Sequence, residues 1–253
     1  MNTASRLALF ASALLGAALL VVGCASGGQQ PASSADPDDS NSAPAPGSGD
    51  DFEAAWLDDG RMFAIVSWGS STCIPMVEDV TADGQTVTVT LTEAASGDAE
   101  GGDGGDTEQA CTADLVARAS IGALPEGVDP TKDVEFTVTL GDMTDDAELD
   151  GNSALTGVPG EQTEYTPSAG WFDDEGIVLL TWGSSSCPPI VEGVEEQAGG
   201  ATVTFKTEDR MCTMDMAPRA TVIGLSGDVD DDDEFTLTLV GDNLDATVPV
   251  QRG

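Results

Sequence analysis

Several stretches of the chain alternate between apolar and polar residues with a period of two. The segments 86–91 and 235–239 place Val, Leu or Phe at every second position, with threonine between them. Alternation of this kind predicts β-strands that bury one face and expose the other. Denser apolar runs at 65–68 and 177–182 predict inner strands of a sheet.

The chain also contains an internal repeat. The sequence WGSSTC at 68–73 returns as WGSSSC at 182–187, and CTAD at 111–114 returns as CTMD at 212–215. A pattern that recurs over most of a chain indicates one structural unit present in two copies. We therefore expect both copies to adopt the same fold.

The period and the repeat together predict an all-β protein. We expect two tandem antiparallel β-sandwiches of immunoglobulin-like architecture, at 51–143 and 169–253, joined by an acidic linker at 144–168. One larger sandwich, to which each repeat contributes a sheet, is the alternative. The best candidate for a helix, 112–120, carries Pro218 in its second copy, and proline is unfavourable inside a helix.

Four of the five cysteines fall into pairs, with one pair in each copy of the repeat. Each copy can close its own disulfide by pairing Cys73 with Cys111 and Cys187 with Cys212. This pairing predicts an oxidising compartment. Reactive free thiols are the weaker alternative, because the chain has no Cys-x-x-Cys motif and no basic neighbour that would lower a thiol pKa.

The beginning of the chain has the pattern of a secretion signal. The run at 7–22 carries no charge, yet it is short for a membrane span of about 20 residues. The sequence VVGC that ends at Cys24 resembles the lipobox of bacterial lipoproteins. The resemblance implies that 1–23 are removed as a signal peptide and that Cys24 receives a diacylglyceryl group and acyl chains, which anchor the protein to a membrane.

Between Cys24 and residue 50 the chain consists of small and polar residues, without any aliphatic side chain larger than alanine. We expect 24–50 to be a disordered tether. The whole pattern resembles secreted lipoproteins of high-GC Gram-positive bacteria. The resemblance implies a lipid-anchored protein on the extracellular face of the cell membrane, and it implies no activity.

The amino-acid composition argues against several classes of function. The chain has 46 acidic and 8 basic residues and a net charge of -38, which argues against a nucleic-acid partner. It has no histidine, which removes Ser-His and Cys-His nucleophiles and His-ligated zinc sites. We expect a non-enzymatic protein that binds or spaces an extracellular or cell-wall ligand. One alternative is a calcium-binding or calcium-stabilised adhesin-like module, and another is an envelope enzyme that uses carboxylates only.

Four residues at matching places are the candidates for ligand binding. Arg118 and Arg219 follow the second cysteine of each pair, and an exposed arginine binds carboxylate or phosphate well. Trp68 and Trp182 are candidates for an aromatic surface that binds a sugar or a peptide. Structural roles in the sheet and core are the stronger interpretation for all four. The serines between tryptophan and cysteine predict a turn, since no base is available to activate them.

The acidic runs provide a calcium hypothesis. Asp228, Asp230 and Asp232 lie in the densest run and are weak candidates for metal ligands; no other cofactor is expected. Residues 146–151 match part of an EF-hand loop, but Gly157 stands where the bidentate glutamate belongs. The preferred interpretation is a solvated acidic surface that keeps the protein soluble.

Overall fold

The computed structural model describes residues 51–93, 111–227 and 234–253. The predicted signal peptide, Cys24, the tether and the candidate calcium ligands Asp228, Asp230 and Asp232 lie outside the described residues. In the described ranges the regular structure is strand, apart from one 3-10 turn at Asp58–Gly60, so the all-β prediction is confirmed. No helix in these ranges is long and apolar enough to cross a membrane.

Strands β1 to β14 divide evenly between the two copies of the repeat. The first copy contains β1 (Glu53–Leu57), β2 (Met62–Gly69), β3 (Pro75–Asp83), β4 (Thr86–Glu93), β5 (Val116–Ala123), β6 (Val134–Leu140) and β7 (Met143–Leu149). The second copy contains β8 (Ser168–Asp173), β9 (Gly176–Gly183), β10 (Val191–Gln197), β11 (Gly200–Phe205), β12 (Ala217–Gly224), β13 (Thr236–Val240) and β14 (Ala246–Gln251).

The strand order is the same in the two copies. In the first copy β1-β2-β5 form sheet A and β3-β4-β6-β7 form sheet B. In the second copy β8-β9-β12 form sheet C and β10-β11-β13-β14 form sheet D. Sheets C and D are continuous, because β14 pairs in parallel with β8 through Val250 and Ala169.

The expectation of purely antiparallel sheets is wrong in both copies, because each contains one equivalent parallel pair and the second copy also has the parallel pair β14 and β8. β4 and β6 run parallel, with Val87 opposite Phe136, and β11 and β13 run parallel, with Val203 opposite Leu239. The chain passes through β5 or β12 in the other sheet before it returns. A return by that route brings the next strand back in the same direction, as parallel pairing requires.

Each copy packs its two sheets around a buried apolar core, an arrangement consistent with a β-sandwich. Trp56 and Ile65 of sheet A meet Phe136 and Val138 of sheet B. The matching core of the second copy lies between sheets C and D. Its largest members are Trp171, Ile177, Leu179, Phe205, Ile223, Phe235, Leu237 and Leu239.

A third core joins the two copies. Leu57 and Val66, on the outer face of sheet A, pack with Phe172, Val178 and Leu180 of sheet C. Sheets A and C are therefore buried on both faces, which explains the dense apolar runs of β2 and β9. The expectation of two separate units is wrong, and so is the alternative in which each repeat contributes a single sheet: the sheets stack in the order B, A, C, D.

Sheets A and C meet with their strands in opposite directions. The amide of Asp58 donates to Ser168 Oγ at 2.8 Å, and Gly170 lies against the carbonyl of Trp56. As the residue number rises along β1, the number of its neighbour in β8 falls. The two copies are thus related by an approximate two-fold axis, and the ends of β2 and β9 lie at opposite ends of the molecule.

Both ends of the described chain emerge at one end of the molecule. β1 starts where β2 finishes, because the two strands are antiparallel. Gly253 follows β14 and lies close to Trp56 and Leu149. Glu53 and Gly253 line the same cavity. Asp51 and Gly253 therefore leave the fold at the end where β2 finishes.

The predicted linker at 144–168 is shorter than expected, because it begins with strand β7. Ala147 and Leu149 are buried in the first core, while the acidic residues of β7, Asp145, Asp146 and Glu148, are exposed. The high acidic content conceals this alternation in the sequence. After β7, Leu155 is buried in the same core, and the amide of Thr156 donates to Asp59 Oδ1 at 3.1 Å.

Candidate functional site: two equivalent loop clusters

The clearest chemistry of the molecule lies in two loop clusters. We define the first loop cluster as residues 69–76 and 111–115, and the second as residues 183–190 and 211–216. Each cluster is closed by one disulfide, Cys73–Cys111 or Cys187–Cys212, with Cα atoms 5.6 Å apart in both. The predicted pairing is confirmed.

A buried arginine holds the first cluster. Arg118 Nη1 donates to the carbonyl of Cys73 at 2.6 Å, and Nη2 lies 3.4 Å from the carbonyl of Trp68. The side chain of Arg118 is 6% exposed, and its burial lowers the pKa of the guanidinium, which stays charged. The guanidinium thus fastens the end of β2 to the disulfide.

Arg219 repeats this arrangement in the second cluster. Its Nη1 donates to the carbonyl of Cys187 at 3.0 Å, and its Nη2 donates to the carbonyl of Trp182 at 3.1 Å. The guanidinium covers Gly183, as that of Arg118 covers Gly69. Glycine follows tryptophan in both copies because a Cβ at that position would occupy the place of the arginine.

A carboxylate organises the serine turn of each cluster. Both oxygens of Asp114 accept from the Ser71 amide at 3.3 Å, and the Thr112 hydroxyl donates to Oδ1. Hydrogen bonds from Ser71, and then from Thr112, lower the pKa of Asp114 to about 2. Bonds from Ser185 and Thr213 lower the pKa of Asp215 to about 2 in the same way.

The hydroxyl groups converge on one threonine in each cluster. Thr112 Oγ1 lies 2.7 Å from Ser70 Oγ and 3.3 Å from Thr72 Oγ1. Thr213 Oγ1 lies 2.8 Å from Ser184 Oγ. The adjacent carboxylates have a pKa of about 2 and are therefore weak bases. These bonds fit the predicted turn, in which side chains satisfy one another and the backbone.

The structure does not bring the four ligand-binding candidates together. Trp68 is 7% exposed and meets Phe172 at 6.4 Å between ring centroids, so it belongs to the third core with the buried Arg118 beside it. Trp182 and Arg219 are half-buried at the other end of the molecule. Because two of the four are buried and the pairs are far apart, they do not form one binding site.

Sequence reasoning missed a group of exposed apolar side chains in the two clusters. Met76 and Leu115 are exposed in the first, and Ile190 and Met216 occupy the matching positions and are exposed in the second. The signal was available in the repeat itself. All four positions adjoin a disulfide, and each stays apolar in both copies of a very acidic chain.

An acidic cavity of about 440 Å³ lies where the two copies meet. Burial, and then the charge of Asp173, raises the pKa of Glu53. Burial also raises the pKa of Asp173, although its Oδ1 accepts from the Glu175 amide at 3.0 Å. The other charged residues of the lining are Glu148, Asp150, Asp174 and Arg252.

The calcium hypothesis stays a prediction, because Asp228, Asp230 and Asp232 lie outside the described ranges. One described group, Cys73, Cys111 and Glu93, has the spacing of metal ligands. Its two sulfurs are joined in a disulfide and supply no thiolate. Comparison of the chain with known protein families, curated proteins and solved structures finds no match.

Proposed function

We propose that the protein is a lipid-anchored binding protein of the extracellular face of the cell membrane, and that it binds through its two ends without catalysis. The VVGC sequence that ends at Cys24 supports the anchor. One disulfide in each copy is typical of an oxidising compartment and supports export. We further propose that the two copies are tandem β-sandwich modules of immunoglobulin-like architecture, each with two packed sheets.

The observation that carries the proposal is the same loop cluster at both ends of one molecule. Each cluster is fastened by a disulfide and an arginine and presents apolar side chains to solvent, with Met76 57% exposed and Leu115 51% exposed in the first. Exposed apolar groups on a rigid, charged protein are typical of a contact surface. Two equal surfaces at opposite ends suit a bivalent binder, which gains avidity when both engage.

We propose that the ligand belongs to the cell wall or to another cell-surface molecule and that both clusters bind it.

The anchor is tested by mass spectrometry of the membrane fraction. We expect the mature N-terminus at Cys24 to carry a diacylglyceryl group and acyl chains, and the Cys24→Ser variant to leave the membrane fraction. An unmodified Cys24 in the membrane fraction would overturn the anchor, as would retention of the variant.

The bivalent role is tested by sedimentation with isolated Gram-positive cell walls. The Met76→Asp and Met216→Asp variants each alter one cluster, and we expect each to weaken binding and the double variant to abolish it. Val158→Asp, at an exposed apolar position outside both clusters, is the matched control and should bind like the parent. Equal binding by the double variant and the parent would overturn the role.

A further inference from the structure

The second loop cluster exposes three methionines within six residues. The chain contains seven methionines, and three of them are Met211, Met214 and Met216. Met211 and Met214 are fully exposed, and Met216 is 62% exposed. These three large apolar side chains gain little or none of the burial that stabilises a core residue.

The backbone that carries these methionines is held in place. Cys212 is bonded to Cys187, and the Thr213 amide donates to Ser186 Oγ at 3.0 Å. Asp215 accepts from the Ser185 amide at 3.2 Å. The chain bends at Met214, between two residues whose side chains are turned towards the serine turn. The methionine side chains thus project from a rigid loop into solvent.

The spacing along the chain sets upper limits on the distances between the three methionines. The Cα atoms of Met214 and Met216 lie within about 7 Å of each other, and that of Met211 lies within about 10.5 Å of Met214 and about 17 Å of Met216. Methionine has three rotatable bonds and a polarisable sulfur, so the sulfurs can approach one another over these spans.

The chemistry of the methionine sulfurs indicates which metal ion the loop would bind. Thioether sulfur is a soft, neutral ligand, and soft ligands prefer Cu(I) among the transition metals. The chain has no histidine, and Cys212 is held in a disulfide, so this loop lacks the imidazole and thiolate ligands that most Zn²⁺ and Cu(II) sites use. The net charge of -38 raises the local concentration of any cation.

We propose that Met211, Met214 and Met216 form a binding site for Cu(I). The site belongs to the second copy alone, since Ala113 and Leu115 occupy the places of Met214 and Met216 in the first copy. The first copy nevertheless forms the same turn, with equivalent hydrogen bonds between Ser71, Thr112 and Asp114. The methionines are therefore not required for the turn. The site does not depend on the membrane anchor, and it shares Met216 with the contact surface proposed for the second cluster.

The test is a competition titration with Cu(I) and a chromophoric Cu(I) chelator under argon. The protein is the full chain with both disulfides formed and with Cys24→Ser, so that no free thiol competes. The site variant combines Met211→Leu, Met214→Ala and Met216→Leu, of which the last two copy the first repeat. Met76→Leu, at an exposed methionine of the first cluster, is the matched control.

We expect one Cu(I) per chain, a loss of affinity of about tenfold or more in the site variant, and no loss in Met76→Leu. The methyl signals of Met211, Met214 and Met216 in NMR spectra should shift together on titration, and an excess of Zn²⁺ should leave them unchanged. Thermal melting confirms that the site variant is folded. Failure of the parent to take Cu(I) from the chelator would overturn the proposal, and so would equal affinity in the parent and the site variant.

Discussion

The guanidinium of Arg118 lies against Gly69 so closely that a Cβ on residue 69 would stand 2.6 Å from Arg118 Cζ. The contact joins two residues on neighbouring strands, β2 and β5, and it places the arginine over the backbone that leads into the disulfide. In the second copy a Cβ on Gly183 would stand 2.9 Å from Arg219 Cζ. Glycine and arginine at these positions therefore form one structural unit.

The first prediction concerns this contact. Gly69→Ala should lower the free energy of unfolding by about 1 to 3 kcal/mol, because the methyl group displaces a buried arginine from the carbonyl of Cys73. Denaturant titration measures the change. Gly193→Ala is the matched control, since a Cβ there meets nothing within 4 Å. If both substitutions lowered the free energy of unfolding equally, the contact between residue 69 and Arg118 would not be the cause.

The second prediction concerns acid. The pKa of Asp114 is lowered from 3.8 to about 2, so the carboxylate stabilises the fold above the higher value, and this contribution is lost as pH falls from 3.8 towards 2. Asp114→Asn should lower the melting temperature at neutral pH and flatten its decline over that acid range. Asp83→Asn, at the exposed end of β3, is the control. If the melting temperatures of Asp114→Asn and of the parent fell equally over this pH range, the lowered pKa of Asp114 would not be the cause.

The third prediction concerns Glu53, whose pKa is raised, whereas that of Asp114 is lowered. Burial and the charge of Asp173 raise the pKa of Glu53, so its ionisation destabilises the folded state. The favourable contribution of the neutral acid is full below the ordinary value of 4.5 and is lost as pH rises through the higher folded value. Glu53→Gln should raise the melting temperature at neutral pH and leave it unchanged in acid, unlike Glu78→Gln on the exposed surface. A lower melting temperature at neutral pH would contradict the prediction.

The fourth prediction concerns the disulfides. They close loops with sequence separations of 38 and 25 residues, and the chain-entropy estimate gives each about 3 to 4 kcal/mol. Replacing Cys73 and Cys111 together by serine should cost this much, and replacing Cys187 and Cys212 should cost slightly less. Denaturant titration measures both losses. An unchanged unfolding midpoint in either pair would exclude a stabilising role for that bond.

The fifth prediction concerns the core between the copies. Leu180→Ala removes a fully buried side chain that packs between sheets A and C, and it should cost about 2 to 5 kcal/mol. Because the two copies share this core, both should still unfold in one transition, recorded by calorimetry and by tryptophan fluorescence. Two separate transitions in the parent would mean that the copies are not thermodynamically coupled.

Local patterns in the sequence were sufficient to predict the strands that face one core. The alternation at 86–91 describes β4 well, since Val87, Val89 and Leu91 are buried and the threonines between them are not. The same reasoning missed β7, where only Ala147 and Leu149 are fully buried. Local patterns also could not predict that β4 pairs in parallel with β6, because this pairing depends on contacts between residues distant in the chain.

The sequence predicted some features of the candidate site and not others. The disulfides followed from the repeat, because each copy has to close its own pair. The burial of Trp68 did not follow, because it depends on Phe172 of the other copy, which covers the second face of sheet A. The role of Arg118 was equally hidden, since its partners are backbone carbonyls, which every residue carries.

The exit of both ends of the described chain from the same side of the fold has a mechanical consequence. A pulling force applied between Asp51 and Gly253 would act at adjacent points and would peel the two copies apart row by row. A load that enters at Asp51 and leaves through the distant cluster at Cys187 would instead run along the strands and shear many contacts at once. The fold should therefore resist a force directed along its strands far better than a force that pulls Asp51 and Gly253 apart.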